Sequence, residues 1–348
     1  MKKTHGILAV ILCICVAVSL FAACSKPAQS TPVDPADFRV TAYMVGDRFL
    51  DKDSIDYSHF SQVTDFILFG VANFDEAGNI TLSDIFTTAL ENIRSGMKTD
   101  GRQRLYLNLL GPGNQSDSSD WYDQMADQAQ RHNNAFESGN LENNIKSVLT
   151  EYGFDGVFFD YEFPIKSKYW KVYNQFIVSL DETLGDDFKI GITLVDWDAK
   201  QSKEAMAATD LVELMSYDNW DKDRYHSTLE LAKHDVETLV KKGYDKSKID
   251  LGVPFYARPT TGEAYWYEYK SYCDQLDENG LYVDSGDTGL TFSFNDYDLI
   301  KAKTDYALEE GLGGIMMWHY TCDSPADSER SLFNAIEESI EDAKAAKQ

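Results

Sequence analysis

Basic residues are scarce in this sequence. Lysine and arginine together number 32 against 58 aspartates and glutamates over 348 residues, a formal charge of −26. A chain that acidic repels nucleic acid and anionic lipid, so no nucleic-acid partner is expected and the ligand should be neutral or cationic. Cysteine is scarcer still. Of five, Cys13, Cys15 and Cys24 fall near the N-terminus, leaving Cys273 and Cys322, for which an oxidising compartment allows but does not require a disulfide. No Cys/His spacing suggests zinc. The acidic run DQLDENGLYVDSGD fails as a calcium loop, because Gln275 stands where the first ligand belongs and Gly286 where the closing glutamate belongs. No glycine-rich phosphate loop follows the first strand candidate, which weighs against a doubly wound nucleotide-binding sheet.

What the chain does have begins with MKKTHGILAVILCICVAVSLFAAC. Two lysines, an apolar run from Ile7 to Phe21 and small Ala22 and Ala23 before a cysteine are the parts of a secretory signal. The segment resembles a bacterial lipoprotein signal over residues 1–23, in which Cys24 is lipidated and becomes the first mature residue. Phe21 departs from the leucine usual there, and an ordinary cleaved signal or one membrane helix is the alternative. The polar, proline-bearing stretch at 24–37 suits a tether. Removing residues 1–23 takes away two lysines and no acids, leaving 30 basic against 58 acidic residues and a charge of −28. The expected location is extracytoplasmic, lipid-anchored to a bacterial cell membrane, with the membrane touched only through that anchor.

From residue 38 onward apolar runs alternate with helical patterns. Strand candidates lie at 38–45, 64–71, 104–110, 155–162, 189–195, 211–217, 249–256 and 313–319. Helical periodicity separates most of them, as in LENNIKSVLTEYG and YDLIKAKTDYALEEG, and SERSLFNAIEESIEDAKAAK follows the last. Eight largely apolar strands alternating with helices predict an α/β fold, a (β/α)8 TIM barrel, over 38–348 with a short insertion at about 259–291 between strands 7 and 8. An open doubly wound sheet is the alternative.

In such barrels the chemistry sits at the C-terminal ends of the strands. Those ends carry Tyr43, Phe69, Asp160, Glu162, Trp197, Tyr217, Asp218, Tyr256, Arg258 and Trp318. Acids ringed by aromatics suit a carbohydrate, whose C–H faces stack on rings while carboxyls handle hydroxyls and protons. Within YGFDGVFFDYE (152–162), Asp160 and Glu162 interrupt a strand-like run two residues apart. Residues i and i+2 of a strand share a face, so both carboxyls are expected beside Phe158, with Val157, Phe159 and Tyr161 opposite. Unpaired buried charge is costly, which marks the pair as a site.

YGFDGVFFDYE resembles the Asp-x-x-Asp-x-Asp-x-Glu signature of glycoside hydrolase family 18, the chitinases and endo-β-N-acetylglucosaminidases. Asp155, Asp160 and Glu162 match, while Phe158 replaces the second Asp. LMSYD (214–218), LGVPFYAR (251–258) and GLGGIMMWHY (311–320) are similar to the motifs of strands six, seven and eight; NLLG (108–111) stands where the family shows Ser-x-Gly-Gly. The resemblance covers roughly residues 38–345. It implies substrate-assisted hydrolysis of β-1,4 linkages in N-acetylglucosamine-containing glycans such as chitin or chitooligosaccharides. Glu162 is then the general acid, Asp160 orients the acetamido N–H, and Tyr217 holds the acetamido carbonyl. Tyr43, Phe69, Met215, Asp218, Tyr256 and Arg258 belong to the substrate site, with Trp318 as its floor. No metal or organic cofactor is implied, and a monomer is expected. Alternatives are an endo-β-N-acetylglucosaminidase acting on N-glycans or peptidoglycan, or a weakly active or inactive glycan-binding lipoprotein. A lipid-anchored solute-binding protein would need two lobes and a hinge. The Tyr-rich insertion, bearing Trp266, is shorter than the small α+β domain that walls the groove of processive chitinases, so a shallower cleft is expected.

Overall fold

Runs of branched and aromatic residues fit a pleated surface covered on both sides, and these runs form the sheet. A computed structural model describes residues 33–347. Its eight parallel strands are β1 (Arg39–Val45), β2 (Asp65–Phe69), β3 (Arg104–Leu109), β4 (Gly156–Phe159), β5 (Lys189–Leu194), β6 (Leu211–Leu214), β7 (Ile249–Pro254) and β8 (Gly314–Trp318). Each pairs with its successor in the chain, and β8 pairs with β1 through Arg39 opposite Gly314, which closes the barrel. The signal and Cys24 lie outside the described residues. Among those described, no helix is long and apolar enough to cross a membrane.

Among the described residues eight α-helices surround the barrel: α1 (Phe86–Gly96), α2 (Trp121–Phe136), α3 (Leu141–Tyr152), α4 (Ser167–Leu184), α5 (Lys203–Ala208), α6 (Leu229–Lys242), α7 (Tyr297–Glu310) and α8 (Leu332–Ala346). Their ends follow from side-chain chemistry. Asp296 accepts from the Leu299 N–H (3.0 Å) to start α7, and Ser331 accepts from the Asn334 N–H (3.2 Å) to start α8. α3 and α7 stop at Gly153 (φ +66°) and Gly311 (φ +71°), where a left-handed residue is needed and glycine takes it without strain. No α-helix stands between β1 and β2; the ring is completed by α8 packing against α7.

Strand alternation divides the core in two. Val157 and Phe159 face the helices. Phe158 joins Tyr43, Ile67, Tyr106, Leu211, Met215 and Met316 inside the barrel. Burying a phenylalanine completely contributes about 1.5–3 kcal/mol, so this inner layer stabilises the barrel as well as shaping its mouth. Below it lies a polar layer. Arg39 donates to Asp250 (2.5 Å), Thr41 to Asp250 (2.9 Å) and Tyr106 to Asp65 (3.0 Å).

Most strands end earlier than the apolar runs predict. The ladder stops at Phe69, Leu109, Phe159, Leu214 and Pro254, although hydrophobic residues continue past each. Beyond these points the regular ladder gives way to single backbone bonds, such as Met215 N–H to the Leu194 carbonyl and Phe255 N–H to the Trp318 carbonyl, as the chain turns into the barrel mouth. Asp160 and Glu162 therefore follow β4 instead of lying within it. The insertion is organised around short antiparallel strands: Tyr256–Pro259 pairs with Tyr267–Glu268 on one side and Thr291–Ser293 on the other, which pairs in turn with Leu281–Val283. Cys273 and Cys322 are both buried free thiols, so the permitted disulfide is not formed.

Candidate active site

Position 158 decides the shape of the barrel interior beneath the mouth. Phe158 is fully buried, with its ring edge-on to Tyr106 (5.1 Å between centroids). Across the ladder its partner on β5 is Gly191, where a Cβ would come within 2.2 Å of the ring. Glycine there is what leaves room for a phenyl group. On the other side Phe158 faces Asn108 of β3, whose amide has no hydrogen-bond partner among the described residues.

Asp160 stands one layer above. The Thr193 hydroxyl donates to it (3.2 Å), and its carboxyl hydrogen-bonds with that of Glu162. Burial raises Asp160 above its ordinary value, opposed by those hydrogen bonds. Glu162 is pushed up to about 8, first by burial and then by the charges of Asp160 and Asp218 with the hydrogen bond to Asp160. Two carboxyls so close do not both ionise, so one of them holds a proton near neutral pH. The motif's Asp155 does not reach this place. It accepts from the Leu105 N–H (2.7 Å) and ties β4 to the start of β3.

Asp218 has the opposite environment. It sits at φ +56° after β6 and accepts from the Tyr256 hydroxyl (2.7 Å) and from Arg258 Nε (2.7 Å) and Nη2 (2.5 Å). Its own N–H donates to His226 Nε2 (3.0 Å). Burial opposes the charged form, but the hydrogen bonds from Arg258 and Tyr256 hold the carboxyl well below the usual range. Tyr217 lies between the two acid environments, 6.2 Å from the Tyr256 ring. Its hydroxyl is pushed far up by burial, then by Tyr256, Tyr43, Glu162 and Asp160.

These groups enclose a cavity of about 220 Å³ at the C-terminal mouth, lined by Tyr43, Asp160, Glu162, Thr193, Met215, Tyr217, Asp218, Tyr256, Arg258, Trp266 and Trp318. Larger cavities of about 580 and 660 Å³ open below the barrel and beside α4. The first is lined by five separate carboxylates and the second by Glu204 alone, and neither sets an acid pair among tyrosines and tryptophans, so chemistry and not size marks the site. Of the residues expected from the strand ends, Phe69 and Trp197 do not line the cavity. Phe69 packs against Trp318 (4.8 Å) and Tyr43 (5.9 Å) and fixes their rings from behind. Trp197 lies outside the cavity, 54% exposed, beside Phe163 (4.8 Å) and Trp121 (6.4 Å), so an aromatic strip continues past Glu162.

The family model for glycosyl hydrolases family 18 matches residues 40–323. The chain belongs to family 18. Endochitinase 1 of Metarhizium anisopliae is 24% identical over 236 residues, which cover 53% of this chain and 55% of that protein, so the match spans about half the length of this relative. The family 18 chitinase ChiB from the chitin utilization locus of Flavobacterium johnsoniae aligns at a TM-score of 0.67 with 24% identity, over 88% of this chain and 95% of its own. A chitinase-like agglutinin of Robinia pseudoacacia aligns at 0.65 with 16% identity, over 86% and 99%. These structural likenesses are likenesses of fold, and in family 18 that fold is the barrel described above.

Sequence reasoning missed Thr193, His226, Phe163 and Trp121 as parts of the site. Thr193 contacts an acid 33 residues away and His226 one eight residues away across a loop, and no local pattern marks either. Trp121 begins α2 and reads as an ordinary exposed aromatic until Trp197 is seen beside it.

Proposed function

We propose that the protein is a glycosidase that cleaves β-1,4 linkages of N-acetylglucosamine-containing glycans, chitooligosaccharides foremost, by substrate-assisted retaining catalysis. The observation that carries this is the divergence of the acids: Glu162 is held protonated to about 8 while Asp218 is held ionised. Titratable groups driven apart by their surroundings assign the acid. Glu162 gives its proton to the glycosidic oxygen as the bond to the anomeric carbon breaks. Asp218 is occupied by Tyr256 and Arg258, and Asp160 is tied to Thr193 and Glu162. No carboxylate is left free to attack as nucleophile, which suits attack by the substrate's own acetamido oxygen.

In this reading Asp160 accepts the acetamido N–H and balances the positive oxazolinium, and Tyr217 donates to the acetamido oxygen. Met215, Tyr256 and Trp318 hold the sugar ring. Glu162 then takes a proton from water and completes the cycle. The cavity is smaller than the roughly 300–1,000 Å³ of drug-sized pockets, which fits one sugar of a longer chain whose neighbours lie along Trp197 and Trp121. Several neighbours in fold are chitinases, one of them in complex with a chitooligosaccharide, which supports the substrate class. The agglutinin supports the second reading, a glycan-binding protein without turnover. The signal-like N-terminus supports an extracytoplasmic protein anchored through lipidated Cys24.

Glu162→Gln decides between the two readings. Hydrolysis of a GlcNAc oligomer should fall about 10²–10⁴-fold with binding of that oligomer retained. Equal turnover in variant and wild type would remove Glu162 from its role, and binding without product from the wild type would favour the lectin.

A further inference from the structure

The segment that follows Glu162 is held in a costly conformation. Ile165, in the loop between Glu162 and α4, sits at φ +45°. A β-branched residue enters the left-handed region only at a cost, and it persists there where its surroundings over-determine it. Here they hold the residue at both of its backbone groups. The Ile165 N–H donates to Asp198 Oδ2 (2.8 Å), and the Ile165 carbonyl accepts from Lys200 Nζ (3.1 Å).

Asp198 ends a short 3-10 turn (Asp196–Asp198) just after β5, and its side chain is 3% exposed. The oxygen that takes the Ile165 N–H also accepts from the Trp170 indole (3.2 Å) in the first turn of α4, and Lys200 pairs with the other oxygen. One buried acid thus ties the loop after Glu162 and the start of α4 to the end of β5. Asp198 does not line the cavity, and the mechanism leaves it without a task. Between Glu162 and Ile165 stand Phe163 and Pro164. Proline fixes its own φ and restricts the residue before it, so a shift at Ile165 reaches Glu162 with few torsions to absorb it.

We infer that Asp198 is a positioning residue for the catalytic acid: it clasps Ile165 in its left-handed conformation and so aims Glu162 at the glycosidic oxygen, with Lys200 closing the clasp from the carbonyl side. The role rests on the hydrolase reading given above. Hydrogen bonds to an ionised acceptor are the strong ones, which suits a hold on a backbone that would otherwise relax. A proton donor displaced by about 1 Å costs up to about 10²-fold in rate, so a small relaxation at Ile165 is visible in turnover.

The test compares Asp198→Ala, Lys200→Met and the double variant Asp198→Ala, Ile165→Gly on a short GlcNAc oligomer. In Asp198→Ala kcat should fall about tenfold or more while KM stays within about twofold, because Met215, Tyr256 and Trp318 still hold the sugar. Lys200→Met should fall in the same way by about threefold. Glycine takes positive φ freely, so the double variant should regain about threefold of the lost kcat. Glu162 released from its place loses part of the effect of Asp160, so the alkaline limb of kcat/KM should move about one pH unit downward in Asp198→Ala. A merely structural Asp198 would lower Tm and leave kcat and the limb of the folded variant in place, and that result overturns the proposal. Where Asp198→Ala does not fold, the surface variant Lys200→Met carries the same comparison of kcat with KM. Hydrogen exchange at the Ile165 amide needs no turnover: it should be slow in the wild type, faster in Lys200→Met and fastest in Asp198→Ala. Fast exchange in the wild type refutes the clasp. A wild type without turnover but with that amide protected removes the hydrolase reading and keeps the clasp.

Discussion

Replacing Phe158 with aspartate adds a third carboxyl directly below Asp160. The phenyl ring is fully buried between Tyr106 and the gap at Gly191. Truncating such a ring costs about 3–5 kcal/mol, and an unpaired carboxyl in its place adds a desolvation cost. Two unpartnered groups are at hand to offset part of this, the Asn108 amide on the neighbouring strand and the Tyr43 hydroxyl above. Against a typical domain stability of roughly 5–15 kcal/mol the variant should fold with a lowered Tm. Its effect on chemistry has a definite sign. A like charge beneath Asp160 disfavours ionisation, so the acid limb of kcat/KM on a GlcNAc oligomer should shift upward by about one pH unit or more. Phe158→Asn has the same volume as the aspartate and no charge. It should share the loss in Tm and leave the limb where it is. Superimposable profiles for wild type and a well-folded Phe158→Asp would refute the claim that this position governs the pair.

Glu162 also couples stability to pH. Its value is raised from 4.5 to about 8 in the folded protein, so the native state binds the proton more tightly than the unfolded chain. The resulting stability is complete below the unfolded value and is lost as pH rises through about 8, by at most about 5 kcal/mol; urea unfolding should show that decline in the wild type and a flatter curve in Glu162→Gln. Trp197→Ala tests the aromatic strip: it should raise KM for long oligomers about fivefold and leave the shortest cleaved oligomer unaffected, and equal effects on both would place Trp197 outside the binding path.

The motif that betrayed the site was a contradiction between neighbours. Acids at 160 and 162 make no sense in a run of Phe and Tyr unless that run ends at a site, and burial at the barrel mouth is what gives them perturbed protonation. The same logic located Tyr217, Asp218, Tyr256 and Trp318, each at the end of an apolar run. Strand ends were harder to read. An apolar residue inside the ladder and one lining the mouth look alike in sequence, so the runs overshot by one to several residues, and Phe69 was placed in the cavity it only supports.

What the sequence hides is register. Phe158 reads as an intrusion into an acidic motif until Gly191, on the next strand, is seen to vacate the space that its ring fills. Glu213, not singled out in the sequence, stands between Thr193 and Asp250 inside a closed barrel and is fully buried there. Both residues break the local pattern, and in both the explanation lies on a neighbouring strand at the same height. A barrel interior has so little room that a phenyl ring gained on β4 must be matched by a side chain lost on β5. The Phe158 experiment therefore examines one idea: the charge on Asp160 is set by what the layer beneath it is made of.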